Sequence, residues 1–214
     1  MRAPCAGAET SMAIYLVRHG ETADNAARIV QLPDATLSVR GREEASRLAV
    51  RIVGAQGSAR VARVRSSDYA SALETAAPIV EATGAPLVLD ASLRERNYGD
   101  IRGTAYAALT VDIMAPDYEP PGGETWREFD ERVDRAWAGV VAEARELDGD
   151  LVVVTHGLVC RGIAARHLVV RPEALASLAW GNTALTIVEP EPPGTVRVLA
   201  CTAHLDGSDG GAPV

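Results

Sequence analysis

Short apolar runs alternate along this chain with longer segments in which apolar side chains recur at helical spacing. The short runs are rich in strand-forming residues and predict four strands, at 13–17, 60–65, 85–89 and 150–155. The longer segments predict amphipathic helices, at 41–53, 69–83 and 124–147. Because helices separate the strands, we expect right-handed crossovers within a largely parallel sheet that carries helices on both faces.

Two further apolar runs, 184–189 and 196–202, flank a proline-rich turn and predict an antiparallel hairpin at an edge of the sheet. The predicted fold class is therefore α/β: a three-layer α/β/α sandwich with a mostly parallel sheet and an antiparallel edge strand. Because an edge strand can pair with a second copy of the chain, this hairpin could support a homodimer.

A single domain is expected over residues 1–214, because no break in composition marks a boundary. Residues 1–12 and 204–214 are expected to be peripheral tails. Residues 96–123 contain repeated glycine and proline and little periodicity. Such a segment is typical of a lid or specificity insert over a site.

Composition excludes several classes of function. Hydrophobic residues make up 47% of the chain and the net charge is −8, which describes a globular protein and argues against nucleic-acid binding. No apolar run approaches the roughly 18 residues that span a membrane, so no membrane association is expected. The first residues lack the apolar core of a signal peptide, and the expected location is the cytoplasm.

All 21 basic residues are arginine, and lysine is absent. A P-loop or a Schiff-base lysine is therefore excluded, and any phosphate would be bound by guanidinium groups and backbone amides. Cys5, Cys160 and Cys201 are widely spaced and odd in number, so they predict neither a metal site nor a disulfide framework.

Two histidines follow predicted strands in the same way. His19-Gly20 comes directly after the first strand, and His156-Gly157 comes directly after the run at 150–155. Ligands of open parallel sheets bind beyond the carboxyl ends of the strands, so we expect these histidines to meet there. His167 and His204 have no such setting and are expected to be structural.

The residues around His19 favour an anion. Thr22 and Asn25 can open a helix whose first amides are free, and such a helix terminus attracts negative charge. Arg18 adds a fixed positive charge with a forked geometry that suits phosphate oxygens.

At this point the sequence resembles a known family. RHGET at 18–22, followed by Asn25, resembles the RHGET-x-x-N signature of the histidine phosphatase superfamily, in its phosphoglycerate-mutase-like branch, branch 1. Four further segments are similar to boxes of that branch, in the same order: LSVRG at 37–41, LRERNYG at 93–99, PGGET at 121–125 and VTHG at 154–157. One short motif would be weak evidence, but five motifs in the order of the family favour a true relationship over chance.

The resemblance implies a phosphohistidine mechanism that uses neither a metal nor a cofactor. His19 would attack the phosphoryl group, and Glu95 would act first as general acid and then as general base. Arg18 and His156 would hold the charge on the phosphoryl oxygens. The remaining residues implied to bind phosphate or the rest of the substrate are Asn25, Thr22, Gly157, Arg96, Ser71 and Glu124.

Each role has a simpler alternative. Glu95 lies between two arginines and could form only surface ion pairs, which contribute little. Asn25 could be a surface residue of a helix, and Glu124 could only complement the dipole of the helix that follows it.

One position departs from the family pattern. The branch carries a second phosphate-binding arginine in a segment similar to residues 66–75, and Ser71 stands in its place. Loss of one preorganised charged donor costs about 2.7–4 kcal/mol in comparable sites. Another arginine could enter the pocket, and the candidates are Arg28, Arg94, Arg96 and Arg102.

The predicted function is a metal-independent phosphomonoesterase that acts on a small phosphorylated metabolite through His19. The alternative prompted by Ser71 is a catalytically impaired or repurposed relative that binds a phosphorylated ligand or a protein partner. A phosphoglycerate-mutase-type phosphotransferase is the weaker alternative, because the segment between Glu95 and His156 is shorter than in the mutases.

Overall fold

The computed structural model describes residues 12–56 and 60–206. Its strands are β1 Ile14–Arg18, β2 Val61–Ser66, β3 Leu87–Leu89, β4 Asp150–Thr155, β5 Leu168–Val169, β6 Leu185–Val188 and β7 Gly194–Cys201. Its α-helices are α1 Ala23–Ala27, α2 Val39–Gln56, α3 Ala70–Thr83, α4 Trp126–Glu146, α5 Gly157–His167 and α6 Pro172–Ser177. Short 3₁₀ helices lie at Ala91–Leu93, Gly99–Ile101, Tyr106–Ala108 and Ala203–Leu205.

The strands form one sheet in the order β3-β2-β4-β1-β6-β7-β5. Strands β3, β2, β4 and β1 are parallel, while β6 runs antiparallel to both of its neighbours, β1 and β7. This arrangement confirms the mostly parallel α/β sheet. The antiparallel strand is not at an edge, however, because β6 is buried between two partners and β5 closes that side of the sheet. With only two residues, β5 is too short to leave a pattern in the sequence.

Side chains of β1 alternate between two apolar layers, as the pleat of a strand requires. Ile14 and Leu16 pack with α4 and α5 on one face of the sheet. Tyr15 and Val17 pack with α2 and α3 on the other face. The three-layer arrangement predicted from the sequence is therefore confirmed, and its central strands β1 and β4 are held from both sides.

The pairing of β1 with β4 positions the carboxyl ends of both strands at one edge. Arg18 lies opposite Thr155 in the parallel register. The amide of His19 continues the ladder and donates to the carbonyl of Thr155 at 2.9 Å. The loops that follow the two strands therefore begin side by side.

Residues 96–123 contain no long helix, and their Tyr98 and Ile113 form a small apolar core together with Val30 from the loop after α1. The predicted C-terminal tail is only partly peripheral, because His204 is buried and bonded to Thr183 Oγ1 at 2.9 Å. Residues 1–11, which include Cys5, and residues 207–214 lie outside the described part of the chain. In the part that is described, no helix is both long and apolar enough to cross a membrane.

Candidate functional site

His19 and His156 meet at the carboxyl edge of the sheet, as the sequence predicts. Their ring centroids are 5.1 Å apart, and both side chains are buried. They border a hollow with a volume of about 140 Å³ that is also lined by Arg18, Asn25 and Glu95. Segments far apart in the sequence therefore contribute to one cavity.

His19 is held as a neutral imidazole with one nitrogen available. Its Nδ1 lies 2.8 Å from the carbonyl oxygen of Gly20, and this contact assigns the proton to Nδ1. Burial, together with the nearby Arg18 charge, lowers the pKa of His19 to about 3. Nε2 therefore keeps its lone pair across the neutral range, which is the state that a nucleophile needs.

Arg18 supplies a fixed charge beside this imidazole. One terminal nitrogen of its guanidinium donates to the carbonyl of Trp180, and its buried Nε has no hydrogen-bond partner among the described residues. Burial lowers the pKa of Arg18, although the guanidinium stays charged. A Cβ at Gly157 would lie 3.4 Å from the Arg18 Nε, so the glycine keeps this face of the guanidinium uncrowded.

The helix after His19 begins with a reciprocal cap. Thr22 Oγ1 accepts from the Asn25 amide at 3.1 Å, and Asn25 Oδ1 accepts from the Thr22 amide at 3.4 Å. Asn25 also borders the hollow, whereas the fully buried Thr22 does not. Gly41 packs against this loop, because a Cβ there would lie 2.0 Å from the carbonyl oxygen of Glu21.

Glu95 projects a partly buried carboxyl group into the hollow. Its Oε1 accepts from the amide of Arg96 at 3.0 Å, and its Oε2 accepts from the amide of Leu158 at 3.1 Å. Burial raises the pKa of Glu95, and these amides and the Arg18 charge oppose that effect only in part. A carboxyl group of raised pKa suits a role as proton donor near neutral pH.

Two long-range contacts fix the loop that carries Glu95. Thr155 Oγ1, at the end of β4, donates to the carbonyl of Leu93 at 2.7 Å. Arg132 Nη1, on α4, donates to the carbonyls of Ser92 at 2.9 Å and Arg94 at 2.8 Å. Neither Thr155 nor Arg132 was predicted as a site residue, because only the folded chain brings them to this loop.

His156 is fixed by side chains that follow β2. Its Nε2 lies 2.8 Å from Ser67 Oγ, and the ring of Tyr69 lies edge-on at 5.3 Å between centroids. Burial, and next to it the proximity of the His19 imidazole and the Arg18 guanidinium, lower the pKa of His156 well below its usual value. The ring is therefore neutral, and its Nδ1 is the nitrogen that remains available to a ligand.

Arg96 does not have the free guanidinium that a substrate contact requires. The group donates to the carbonyls of Glu124, Ile113 and Tyr118 at 3.0, 3.2 and 2.8 Å, and it lies 3.9 Å from the ring centre of Trp126. Arg96 borders the hollow but is committed to holding the insert together. This differs from the expectation that it contacts the substrate.

Glu124 does not lie where a residue that binds the substrate would be expected. Its carboxylate forms an ion pair with Arg132 at 2.7 Å and accepts from the amide of Asn97 at 3.2 Å. Glu124 does not line the hollow. It lines a second groove beside it, called the outer groove here, which is also lined by Arg94, Glu95 and Arg132. Glu124 therefore helps to position the Glu95 loop.

Ser71 is buried at the start of α3 and belongs to an uncharged network. Its Oγ accepts from Gln31 Nε2 at 3.0 Å, and Gln31 Oε1 accepts from Asn25 Nδ2 at 3.3 Å. Asn182 donates to Asn25 Oδ1 at 3.2 Å and to the carbonyl of His19 at 3.1 Å. Ser71, Gln31, Asn25 and Asn182 therefore form a polar network without a charged member.

The remaining arginine candidates occupy three different settings. Arg28 is exposed and lies 5.9 Å from the ring centre of Tyr106, outside the hollow. Arg94 forms an ion pair with Asp68 in the outer groove. Arg102 borders both the hollow and the outer groove.

We expect the two buried, neutral histidines to make the protein acid-sensitive. An unfolded histidine binds a proton below a pKa near 6.5, whereas folded His19 does so only near 3. Its contribution to stability is therefore complete above pH 6.5 and is lost as the pH falls toward 3. Within that window one such histidine changes the free energy of unfolding by about 1.4 kcal/mol per pH unit.

Urea denaturation of the wild type and His19→Asn between pH 7 and pH 4 measures this effect. The variant should lose stability less steeply on acidification, by about one bound proton. Glu95 and the other carboxyl groups are common to both proteins and cancel in the comparison. Equal pH slopes would contradict a neutral, buried His19.

Comparisons with known proteins agree on one family. A family model described as histidine phosphatase superfamily (branch 1) matches residues 14–202. Phosphoglycerate mutase-like protein 4 of Arabidopsis thaliana is 33% identical over 207 residues, which cover 90% of this chain and 86% of that protein.

Solved structures show the same fold. The mycobacterial glucosyl-3-phosphoglycerate phosphatase bound to VO3 matches with a TM-score of 0.72 and 26% identity, covering 89% of this chain and 100% of that one. The alpha-ribazole phosphatase from Shigella flexneri matches with a TM-score of 0.76 and 22% identity, covering 89% of this chain and 97% of that one.

Proposed function

Since this chain belongs to the histidine phosphatase superfamily, branch 1, we propose that it hydrolyses a small phosphomonoester through a phosphohistidine intermediate, without a metal. The observation that carries the proposal is the state of His19. Its Nδ1 proton is bound by the Gly20 carbonyl, and its Nε2 lone pair is available beside the fixed charge of Arg18.

In the first step, His19 Nε2 attacks phosphorus and the bond from phosphorus to the ester oxygen breaks. The leaving oxygen takes the proton of Glu95, whose pKa is raised by burial. Protonation avoids release of a strongly basic alkoxide. The product is phosphohistidine at residue 19, and the alcohol departs.

In the second step, water attacks the phosphohistidine. The Glu95 carboxylate takes a proton from this water, and the bond between phosphorus and Nε2 breaks. Inorganic phosphate leaves, and both His19 and Glu95 return to their starting states. The two carboxylate contacts to backbone amides hold Glu95 in place for both steps.

Charge on the phosphoryl oxygens is met by groups that are already oriented. Arg18 offers its unpartnered Nε, His156 offers Nδ1, and Asn25 borders the same hollow. The amide of Gly157 lies at the start of α5, where the helix dipole favours an anion. Preorganised donors of this kind stabilise a phosphoryl transition state without reorganisation.

The hollow favours a small ester. Its volume of about 140 Å³ is well below the roughly 300–1,000 Å³ of a pocket for a drug-sized ligand. It therefore accepts the phosphoryl group and the first atoms of the leaving alcohol. Tyr98, Tyr106 and Met114 of the insert form its outer wall, which suits a substrate with an apolar or aromatic portion next to the phosphate.

Hydrolysis of p-nitrophenyl phosphate between pH 5 and pH 8, with and without EDTA, tests the proposal. Turnover above buffer that EDTA leaves unchanged is the expected result. A large loss of rate in EDTA would overturn metal independence. No turnover, combined with binding of inorganic phosphate, would overturn the phosphatase and favour a relative that only binds phosphorylated ligands.

A further inference from the structure

The positive charge of Arg18 does not balance the negative charge of a bound phosphomonoester. Such an ester carries a charge of about −1.5 to −2 at neutral pH. His19 and His156 are neutral, and the guanidinium of Arg96 is bound by three carbonyls. Arg18 alone would leave about 0.5 to 1 negative charge uncompensated.

Arg102 borders the same hollow from the insert. Its Nη2 donates to the hydroxyl of Tyr69 at 2.8 Å, and its guanidinium carbon lies 5.9 Å from the centre of that ring. The Tyr69 ring in turn contacts His156. No carboxylate in residues 12–56 and 60–206 forms an ion pair with Arg102, so its charge is not already compensated.

The backbone holds Arg102 at this position. The amide of Gly103 donates to the carbonyl of Val30 at 2.8 Å, and the amide of Val30 donates to the carbonyl of Thr104 at 2.9 Å. Gly103 has a φ of +81°, which favours glycine and turns the chain directly after Arg102. Backbone hydrogen bonds therefore fix the turn that carries Arg102.

We propose that Arg102 is the second cation that binds the transferring phosphoryl group, opposite Arg18. The inference rests on the proposed function. Both arginines border one hollow of about 140 Å³, in which no other residue of the lining has an uncommitted guanidinium. Ser71 and Gln31 are uncharged, and Arg102 of the insert brings its charge to the hollow beside Tyr69, directly before α3.

Binding of inorganic phosphate and orthovanadate, measured by titration calorimetry, tests this without relying on turnover. Arg102→Gln should weaken phosphate binding by about 10-fold or more and lower kcat for p-nitrophenyl phosphate by about 10²-fold. Arg102→Lys keeps the charge but not the fork and should fall between the wild type and Arg102→Gln.

Arg94→Gln is the matched control. Arg94 lies 5.5 Å from the centre of the same Tyr69 ring, but it is paired with Asp68 and faces the outer groove. Its removal should change phosphate affinity by no more than about twofold, since exposed ion pairs contribute little. If Arg102→Gln does not fold by circular dichroism, Arg102→Met keeps the apolar stem against Tyr69 and removes the charge.

The outcomes separate this inference from the proposed function. Phosphate affinity of Arg102→Gln or Arg102→Met equal to that of the wild type would overturn the role of Arg102, whatever the activity. A wild type that binds phosphate through Arg102 but does not hydrolyse p-nitrophenyl phosphate would overturn the phosphatase and support the role of Arg102. A wild type that binds neither phosphate nor vanadate would overturn both.

Discussion

Replacing His19 by asparagine is expected to lower kcat for p-nitrophenyl phosphate by at least about 10³-fold while the protein stays folded. The variant lacks the Nε2 lone pair that forms the covalent intermediate, and loss of a nucleophile removes that route entirely. Its amide can still donate to the carbonyl of Gly20, as the histidine Nδ1 does. Steady-state kinetics and a search for phosphohistidine after an alkaline quench, which preserves the acid-labile P–N bond, measure the two effects.

His167→Asn is the matched control for this prediction. His167 lies at the end of α5, where its Nε2 contacts Asp134 at 2.7 Å, away from the hollow. Its replacement should leave kcat within about twofold of the wild type, as expected for a substitution away from the site. Phosphohistidine that forms at an undiminished rate in His19→Asn would show that another histidine is the nucleophile.

The sequence was sufficient to predict the meeting of the two histidines because each feature involved is local. A buried apolar run followed by His-Gly marks the end of a strand, and parallel strands end at one edge. The match of the family model to residues 14–202 also confirms the resemblance that five short motifs predicted. Short motifs are informative here because close backbone contacts, such as that of Gly41 with Glu21, require particular residues.

Contacts between distant segments were beyond the sequence. The sequence pattern of α4 does not indicate that Arg132 reaches the carbonyls around Glu95. The sequence pattern of β4 does not indicate that the hydroxyl of Thr155 donates to the carbonyl of Leu93. Arg96 was predicted to touch the substrate, because a charged residue in a motif is indistinguishable from a buried one until its carbonyl partners are known.

Position 71 shows what the sequence reveals and what it does not. The substitution is visible in the sequence, because the surrounding motif fixes the position. What replaces the lost charge is not visible, since Gln31 and Arg102 lie on separate loops. Only the folded arrangement separates Arg102 from the other three arginines that the sequence offers.

Replacing Glu95 by glutamine is expected to lower kcat by about 10²–10⁴-fold, the range that a positioned general acid or base contributes. The loss should be larger for an alkyl phosphate than for p-nitrophenyl phosphate, because p-nitrophenolate leaves without a proton. One of the two amides that bind Glu95 can still donate to the glutamine carbonyl oxygen, while the other faces the NH2 group and loses its acceptor, so circular dichroism must first show that the variant folds. Kinetics with both esters measure the difference.

The pH profile distinguishes a proton donor from a residue that only shapes the site. Burial raises the pKa of Glu95, so wild-type kcat/KM for an alkyl phosphate should fall as the pH rises through that pKa and the acid is lost. Glu95→Gln should lack this decline. Glu124→Gln should keep it even if its rate is lower, because Glu124 acts through Arg132 on the position of the loop. A decline that persists in Glu95→Gln would assign the general acid to another group.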